Sequence, residues 1–352
     1  VMYVRLDWLE RLKMDIPVTL DDWLAYFEAI KNNDMNGNGK ADEYGVMLYS
    51  NMNYSSPFFG AFGVFPTSWS LVDGKLIPDM IRPEMKEAIR FYRLLVEKGY
   101  APPDWLTIPS ANRDGMIYRG EVGSWRHDIV NYNGLWNPKN FLDPNAKIGI
   151  TDGPTGPDGH RGLAPAGRGT GPVWAIPSTS KKAVDVVKFL NWAWSEEATR
   201  LFSLGVEGIN YTVDADGKIR FDPEAPANSS NDGMIWNQAI LGGLQGDMRL
   251  TPMVIEVSPN TDILMQGVEI AKRNSIPTAD QYMPVLQSMI DKPDIIPGLG
   301  NGTLFYDMFA KVVLGQADLD TAFDEFVRTW RSRGGDQMIE EATQWYNEYV
   351  KQ

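Results

Sequence analysis

The densest run of metal-capable donors in the chain is Asp34-Met35-Asn36-Gly37-Asn38-Gly39-Lys40-Ala41-Asp42-Glu43. Asp34, Asn36 and Asn38 alternate as side-chain oxygen donors, Gly37 and Gly39 allow a tight turn, and the Lys40 carbonyl can turn inward. Asp42 and Glu43 complete a shell of hard oxygens with three carboxylates, which suits Ca²⁺ better than the smaller and stricter Mg²⁺. The first seven positions follow an EF-hand loop. Its twelfth position falls on Gly45 where a bidentate Glu belongs, and an apolar stretch follows in place of a helix, so this is not an ordinary EF-hand. A Ca²⁺ held there, between a helix and a strand and with no open catalytic feature, has a structural task. The competing reading is an Asn-Gly turn carrying solvated charge.

Enzymatic chemistry finds less support. A carbohydrate-cleaving enzyme needs two carboxylates flanking a sugar bond, or a His or Tyr base. With 46 acidic residues a pair is possible by number alone. Yet there is no G-x-S-x-G, no H-E-x-x-H and no phosphate loop, and the only two histidines are His127 and His160. Zero cysteines exclude disulfides and thiolate catalysis, and two His without Cys argue against catalytic zinc.

The elements that must position these groups are well punctuated. A helix is predicted from Pro17 to Lys31, capped by Thr19 with Asp22 three residues on, and with Trp23, Leu24, Phe27 and Ile30 on one face. Others are predicted over Pro83 to Gly99, Lys181 to Leu204 (with Val186, Val187, Leu190 and Trp194 as its stripe), Asp318 to Arg333 and Gln337 to Val350. Short apolar runs at 45–49, 147–150 and 173–177 read as buried strands, and the alternation gives an α/β class. The Gly/Pro-rich stretch Thr151 to Pro172 reads as a crossing between lobes, with a return between about 241 and 259. The tryptophans 69, 192, 194, 236 and 330 are assigned to packing.

A chain of 352 residues, 43% hydrophobic, is long enough for two lobes. No apolar run reaches the eighteen residues a membrane helix needs. A net charge of −13 disfavours nucleic acid and anionic lipid as partners. The 12 Trp, 14 Tyr and 14 Phe exceed ordinary core filling, so some rings are expected in a cleft. The opening VMYVRLDWLERLK has neither initiator Met nor a signal-peptide pattern, and a preceding stretch is expected to be missing.

The segments 3–45, RGEVGSW at 119–125, 175–219 and 312–346 occur in the order found in extracellular solute-binding proteins of bacterial ABC sugar importers, and the chain resembles that family, in particular its alginate-, oligosaccharide- and maltodextrin-binding members. The resemblance implies an α/β, periplasmic-binding-protein-like (type II) fold of two hinged lobes, with part of the first lobe missing. It implies residues 1–162 as the main part of the second lobe, 163–248 as the returning part of the first, and 249–352 as the hinge return and last helices of the second. It implies an oligosaccharide ligand closing the cleft, ABC permease subunits as partners, a monomer, and an extracellular or periplasmic location on a lipid anchor. Sugars offer C–H faces and many hydroxyls, so aromatic plates with a polar fan are expected. The resemblance puts Trp125 at a stacking position and Tyr54 and Phe58 among second-lobe aromatic contacts. Trp174 follows the crossing, Tyr306 is a weaker aromatic candidate, and Arg126, His127 and Arg168 are the charged ones, an Arg fork suiting a uronate. For each ring the alternative is core packing, and for each Arg a solvated surface.

Overall fold

The computed structural model describes residues 1–50, 54–166, 174–222, 225–228, 252–300 and 302–351. Within them the chain is mixed α/β and divides into two compact units. The first comprises Val1–Ile129, Leu135–Gly167 and Glu269–Gln352, the second Val130–Gly134 and Arg168–Val268. The long passage into the second unit thus begins after residue 167 and ends at 268, a few residues and about twenty residues beyond the sequence-based positions of 162 and 248.

In the first unit the strand Met2–Arg5 is buried along its whole length and runs directly into helix Leu6–Leu12, which Lys13 ends in a left-handed conformation at φ 56°. That strand is the centre of an antiparallel three-stranded sheet, flanked by Ser124–Arg126 and Ile148–Thr151. The register sets Tyr3 opposite both Trp125 and Ile150. Helix Leu20–Lys31 begins where the sequence placed its cap: Asp22 N–H donates to the Thr19 hydroxyl, and Thr19 N–H returns a bond to the Asp22 carboxylate at 2.8 Å. Its buried residues, Leu20, Trp23, Tyr26, Phe27 and Ile30, follow helical spacing.

Helix Pro83–Glu97 packs against Leu304–Val313 and Leu319–Trp330, forming the helical side of the same core. The last helices agree closely with expectation. Asp318 caps Leu319–Trp330, Gly334 at φ 115° breaks it, and Asp336–Tyr349 follows.

Three expectations need correction. Residues 45–49 form no strand; Tyr44 and Met47 make single bridges to Val122 and Trp125, and Gly45 lies against Phe27, where a Cβ would come within 2.4 Å of the ring. Among 173–177, the described residues 174–177 are not a strand either. The predicted helix 181–204 is two helices, Ala183–Ala193 and Glu196–Leu204, because the Ser195 side chain accepts from Ala198 N–H and caps a new start.

The second unit carries those two helices, the hairpin Tyr211–Val213 with Ile219–Phe221, and helix Pro252–Val257. Here the apolar stripe is only partly covered. Ala193 is buried, but Val187 and Trp194 are more than half exposed, so Trp194 is not a packing residue within this unit. Trp192 is half-buried between Phe189 and Phe202, Trp69 and Trp330 are buried as expected, and Trp236 lies outside the described residues.

Candidate ligand-binding site

Strand Ser124–Arg126 and the residues after it deliver side chains into two clusters within the first unit. Trp125 goes inward. It is 0% exposed, stacks on Tyr3 at 5.4 Å with the rings 2° from parallel, and is closed in by Trp136 at 5.2 Å and Phe141 at 6.0 Å. The antiparallel register that sets Tyr3 directly opposite it is the cause, since paired residues on one face of a sheet bring their rings together. The expectation of a ligand-stacking Trp125 is therefore corrected: no face of its ring is open. Phe58 is corrected in the same way. It is fully buried against Phe91 and Tyr92, in a core where helix Pro57–Ala61 meets Pro83–Glu97.

The second cluster is polar and reaches solvent. The half-buried Tyr54 ring stacks on His127 at 4.1 Å, donates its hydroxyl to Asp128 Oδ2 at 2.6 Å, and lies under the Arg126 guanidinium at 5.0 Å. Asp128 is exposed. Tyr49 packs edge-on against Tyr54 at 5.1 Å, with the Arg113 guanidinium 3.9 Å over its ring, and Arg113 is held by Asp114 at 2.8 Å. Burial pushes the His127 imidazole down to about 4; Asp128 opposes this, while Arg113 and Arg126 reinforce it. His127 is thus neutral at pH 7, and its Nδ1 accepts from Asp128 N–H at 2.9 Å. Burial also lowers the Arg126 guanidinium from its ordinary value, against Asp128 and nearby tyrosines.

The structure brings together Tyr54, Arg126 and His127, which the sequence singled out, with Tyr49, Arg113 and Asp128, which it did not. Asp128 was in view as the neighbour of His127, whereas nothing in the spacing joins Arg113 to Tyr49. Tyr306 is half-buried elsewhere in the unit, its hydroxyl donating to the Ser50 carbonyl at 3.4 Å. Trp174 belongs to the second unit and is 48% exposed; Arg168 lies outside the described residues.

The loop 34–43 folds around its own amides. Asp34 accepts from Gly37, Asn38 and Gly39 N–H, Asn38 Oδ1 accepts from Lys40 N–H at 2.8 Å, and Asn38 Nδ2 donates to Asp42 at 3.0 Å. Gly37 and Gly39 take left-handed φ of 79° and 86°, as the turn requires. Glu43 is buried and accepts from Met35 and Asn36 N–H at 2.9 and 2.7 Å. Among the described residues no three His, Cys, Asp or Glu side chains are gathered to share one metal ion. The donor chemistry of Asp34, Asn36, Asn38 and Asp42 fits a hard cation, with the Lys40 carbonyl as the backbone donor; Glu43 fastens the loop's start instead.

The sequence profile of the bacterial extracellular solute-binding protein family matches residues 1–227. This chain belongs to that family. Lipoprotein LipO of Bacillus subtilis (strain 168) is 25% identical over 365 residues, covering 98% of this chain and 68% of LipO. The fructooligosaccharide ABC transporter substrate-binding protein FusA of Streptococcus pneumoniae is 40% identical over 102 residues, which cover 28% of this chain and 19% of FusA. A solved structure of the S. pneumoniae FusA EF-hand mutant in complex with fructo-nystose superposes with a TM-score of 0.68 at 20% identity, covering 99% of this chain and 72% of that one. Its likeness shows the fold, the two-lobe α/β architecture of extracellular solute-binding proteins, in agreement with the class read from the sequence. The family is extracytoplasmic, and its members are substrate-binding proteins of transporters.

Proposed function

We propose that this protein binds an oligosaccharide outside the cytoplasm, leaves it chemically unchanged, and delivers it to the permease subunits of an ABC importer. The observation that carries the reading is the cluster around Tyr54: a partly open aromatic ring bordered by Arg126, His127 and Asp128. An aromatic plate with donors and acceptors at its edge is what a sugar's C–H face and hydroxyls require. Family membership and the fructooligosaccharide ligand of FusA support the same class. Trp174, exposed in the second unit, is a further candidate for stacking, and Tyr306 a weaker one.

Calorimetry with kestose, nystose, a neutral glucan oligosaccharide and a uronate oligosaccharide tests the reading. Heat with one member and an unchanged ligand on recovery supports it. New reducing ends identify a carbohydrate-cleaving enzyme instead, and no heat with any member contradicts carbohydrate binding. Strong preference for the uronate assigns Arg126 to carboxylate recognition; preference for a neutral sugar assigns it to hydroxyls and the Tyr54 ring.

The same proposal includes a structural Ca²⁺ at 34–43, with Asp34, Asn36, Asn38, Asp42 and the Lys40 carbonyl as its holders. The FusA structure is described as an EF-hand mutant, which supports a metal loop in a related protein. A melting midpoint that rises with Ca²⁺ and returns with chelator supports the loop as a metal site, and Asp34→Ala abolishes the rise. An unchanged midpoint leaves it an Asn-Gly turn closed by its own amides. Attachment to the cell surface as a lipid-anchored monomer completes the proposal, and the name of LipO supports the anchor.

A further inference from the structure

Inside the first unit, the segment that leads up to residue 167 and the one that returns at 269 are fastened to each other by one side chain. The outgoing chain runs through Leu163–Ala166 before the crossing at 167, and the returning chain comes down helix Thr261–Arg273, entering the first unit at 269. Asn274 stands at the end of that helix and is 1% exposed. Its backbone carbonyl accepts from Leu163 N–H at 2.9 Å and Ala164 N–H at 3.4 Å. Its side-chain Oδ1 accepts from Gly153 N–H at 3.0 Å, and its Nδ2 donates to Asp152 at 2.6 Å and to the Ile270 carbonyl at 2.8 Å. Every polar atom of the side chain is used, and each bond reaches one of the two segments or the end of the central sheet.

Neighbouring contacts extend the clasp in both directions. Ala164 and Pro165 pair in parallel with Ser275 and Ile276, and Ala166 N–H donates to the Ile276 carbonyl at 2.7 Å. On the solvent side Arg273 grips Asp152 through two bonds of 2.6 and 2.8 Å. Burial by itself would raise the Asp152 carboxyl, and the bonds from Arg273 and Asn274 outweigh it, holding the group below the usual carboxylate range. On the inner side the Ser56 hydroxyl donates to the Leu163 carbonyl, two residues along from the Tyr54 ring. A buried, fully bonded polar side chain fixes one arrangement of the segments it joins, because loosening any of them leaves a desolvated group unpaired.

We infer that Asn274 is a positioning residue for ligand binding: it holds the Leu163–Ala166 segment, whose Leu163 carbonyl takes the Ser56 hydroxyl two residues from Tyr54, so that saccharide affinity depends on it although it touches no ligand. The inference rests on the carbohydrate-binding reading above. With the Leu163 segment untied, the arrangement of the Tyr54 segment competent to bind is one of several, and affinity falls by the fraction lost.

The test compares Asn274→Ala with Ser288→Ala in the whole protein. Ser288 is equally buried in the first unit, where it is bonded to Glu341, but joins no crossing segment. Both changes are expected to lower the melting midpoint. At a temperature well below both midpoints, Asn274→Ala is expected to weaken binding of whichever panel oligosaccharide gives heat with the wild type by about ten-fold, the scale of one buried hydrogen-bonding group, and Ser288→Ala to leave it unchanged. Equal affinities in both variants, or an equal loss in both, overturn the inference. Should Asn274→Ala fail to fold, Asp152→Asn, which weakens the clasp from its solvent side, is expected to cost about three-fold, and unchanged affinity there overturns it. Hydrogen exchange needs no ligand and separates this inference from the reading beneath it: the Leu163, Ala164 and Ala166 amides of the outgoing segment and the residue-274 amide of the returning one must speed up together in the variant, and a change in only one of the two segments contradicts a shared clasp even if the wild type takes no sugar.

Discussion

Trp125 and His127 are two residues apart, yet they serve clusters of opposite character. Around Trp125 the rings of Tyr3, Trp136 and Phe141 close on one another, and the indole Nε1 finds no hydrogen-bond partner among the described residues. Around His127 the rings of Tyr54 and Tyr49 are interleaved with Arg126, Arg113 and the exposed Asp128. The difference lies in what each ring faces. Pairing with the central strand commits Trp125 to the core, whereas the chain leaves the sheet after Arg126 and its next side chains meet Tyr49 and Tyr54. Aromatic content alone does not mark a sugar site; aromatic content with polar groups on an open edge does.

The largest expected effect breaks the dry cluster. Trp125→Ala removes a fully enclosed indole and is expected to destabilise the protein by about 3–5 kcal/mol in urea unfolding, against under about 1 kcal/mol for Tyr54→Ala, whose ring is partly open. Similar losses in both would erase the distinction between the clusters.

Next in size is a pH effect confined to the polar cluster. His127 is held at about 4 in the folded protein against 6.5 for a free imidazole, so between those values the unfolded chain binds more protons. Stability from this group is complete above about pH 6.5 and is lost as the pH falls toward 4. His127→Gln is expected to flatten that part of the stability-against-pH curve; an unchanged slope would show that other groups set it.

A smaller effect is expected for Arg113→Met, which removes the guanidinium from over Tyr49 and its bond to Asp114 while keeping most of the apolar stem: about 1–2 kcal/mol, read by thermal melting. Tyr54→Phe is the smallest. It deletes only the hydroxyl that reaches Asp128, with an expected change within about 0.5 kcal/mol in stability.

Much of the architecture was readable from the chain. Thr19 with Asp22, Pro83, Asp318 and Gly334 mark helix ends by local chemistry, and local chemistry is present in sequence. The break at Ser195 was overlooked because the apolar spacing runs across it, although Ser195 is itself a capping residue. Residues 45–49 have strand composition, but a strand needs a continuous partner, and that is decided by distant segments. The candidate site divides in the same way. Tyr54, Arg126 and His127 were singled out by type and neighbourhood, and the structure places them together. Trp125 and Phe58 were misplaced because burial of a ring depends on register and on helix packing, as with Tyr3 opposite Trp125. The contact of Arg113 with Tyr49, and the meeting of Asn274 with Gly153 and Leu163, join residues far apart in the chain and leave no local mark.

Calorimetric titration of the saccharide panel into the wild type, Tyr54→Ala and Trp125→Phe tests the central claim most directly. The account predicts that Tyr54→Ala weakens binding at least about ten-fold, the loss of one well-placed aromatic contact, while folded Trp125→Phe binds as the wild type does. Lost binding in Trp125→Phe with affinity retained in Tyr54→Ala would contradict it, returning the ligand-stacking role to the ring that the structure buries.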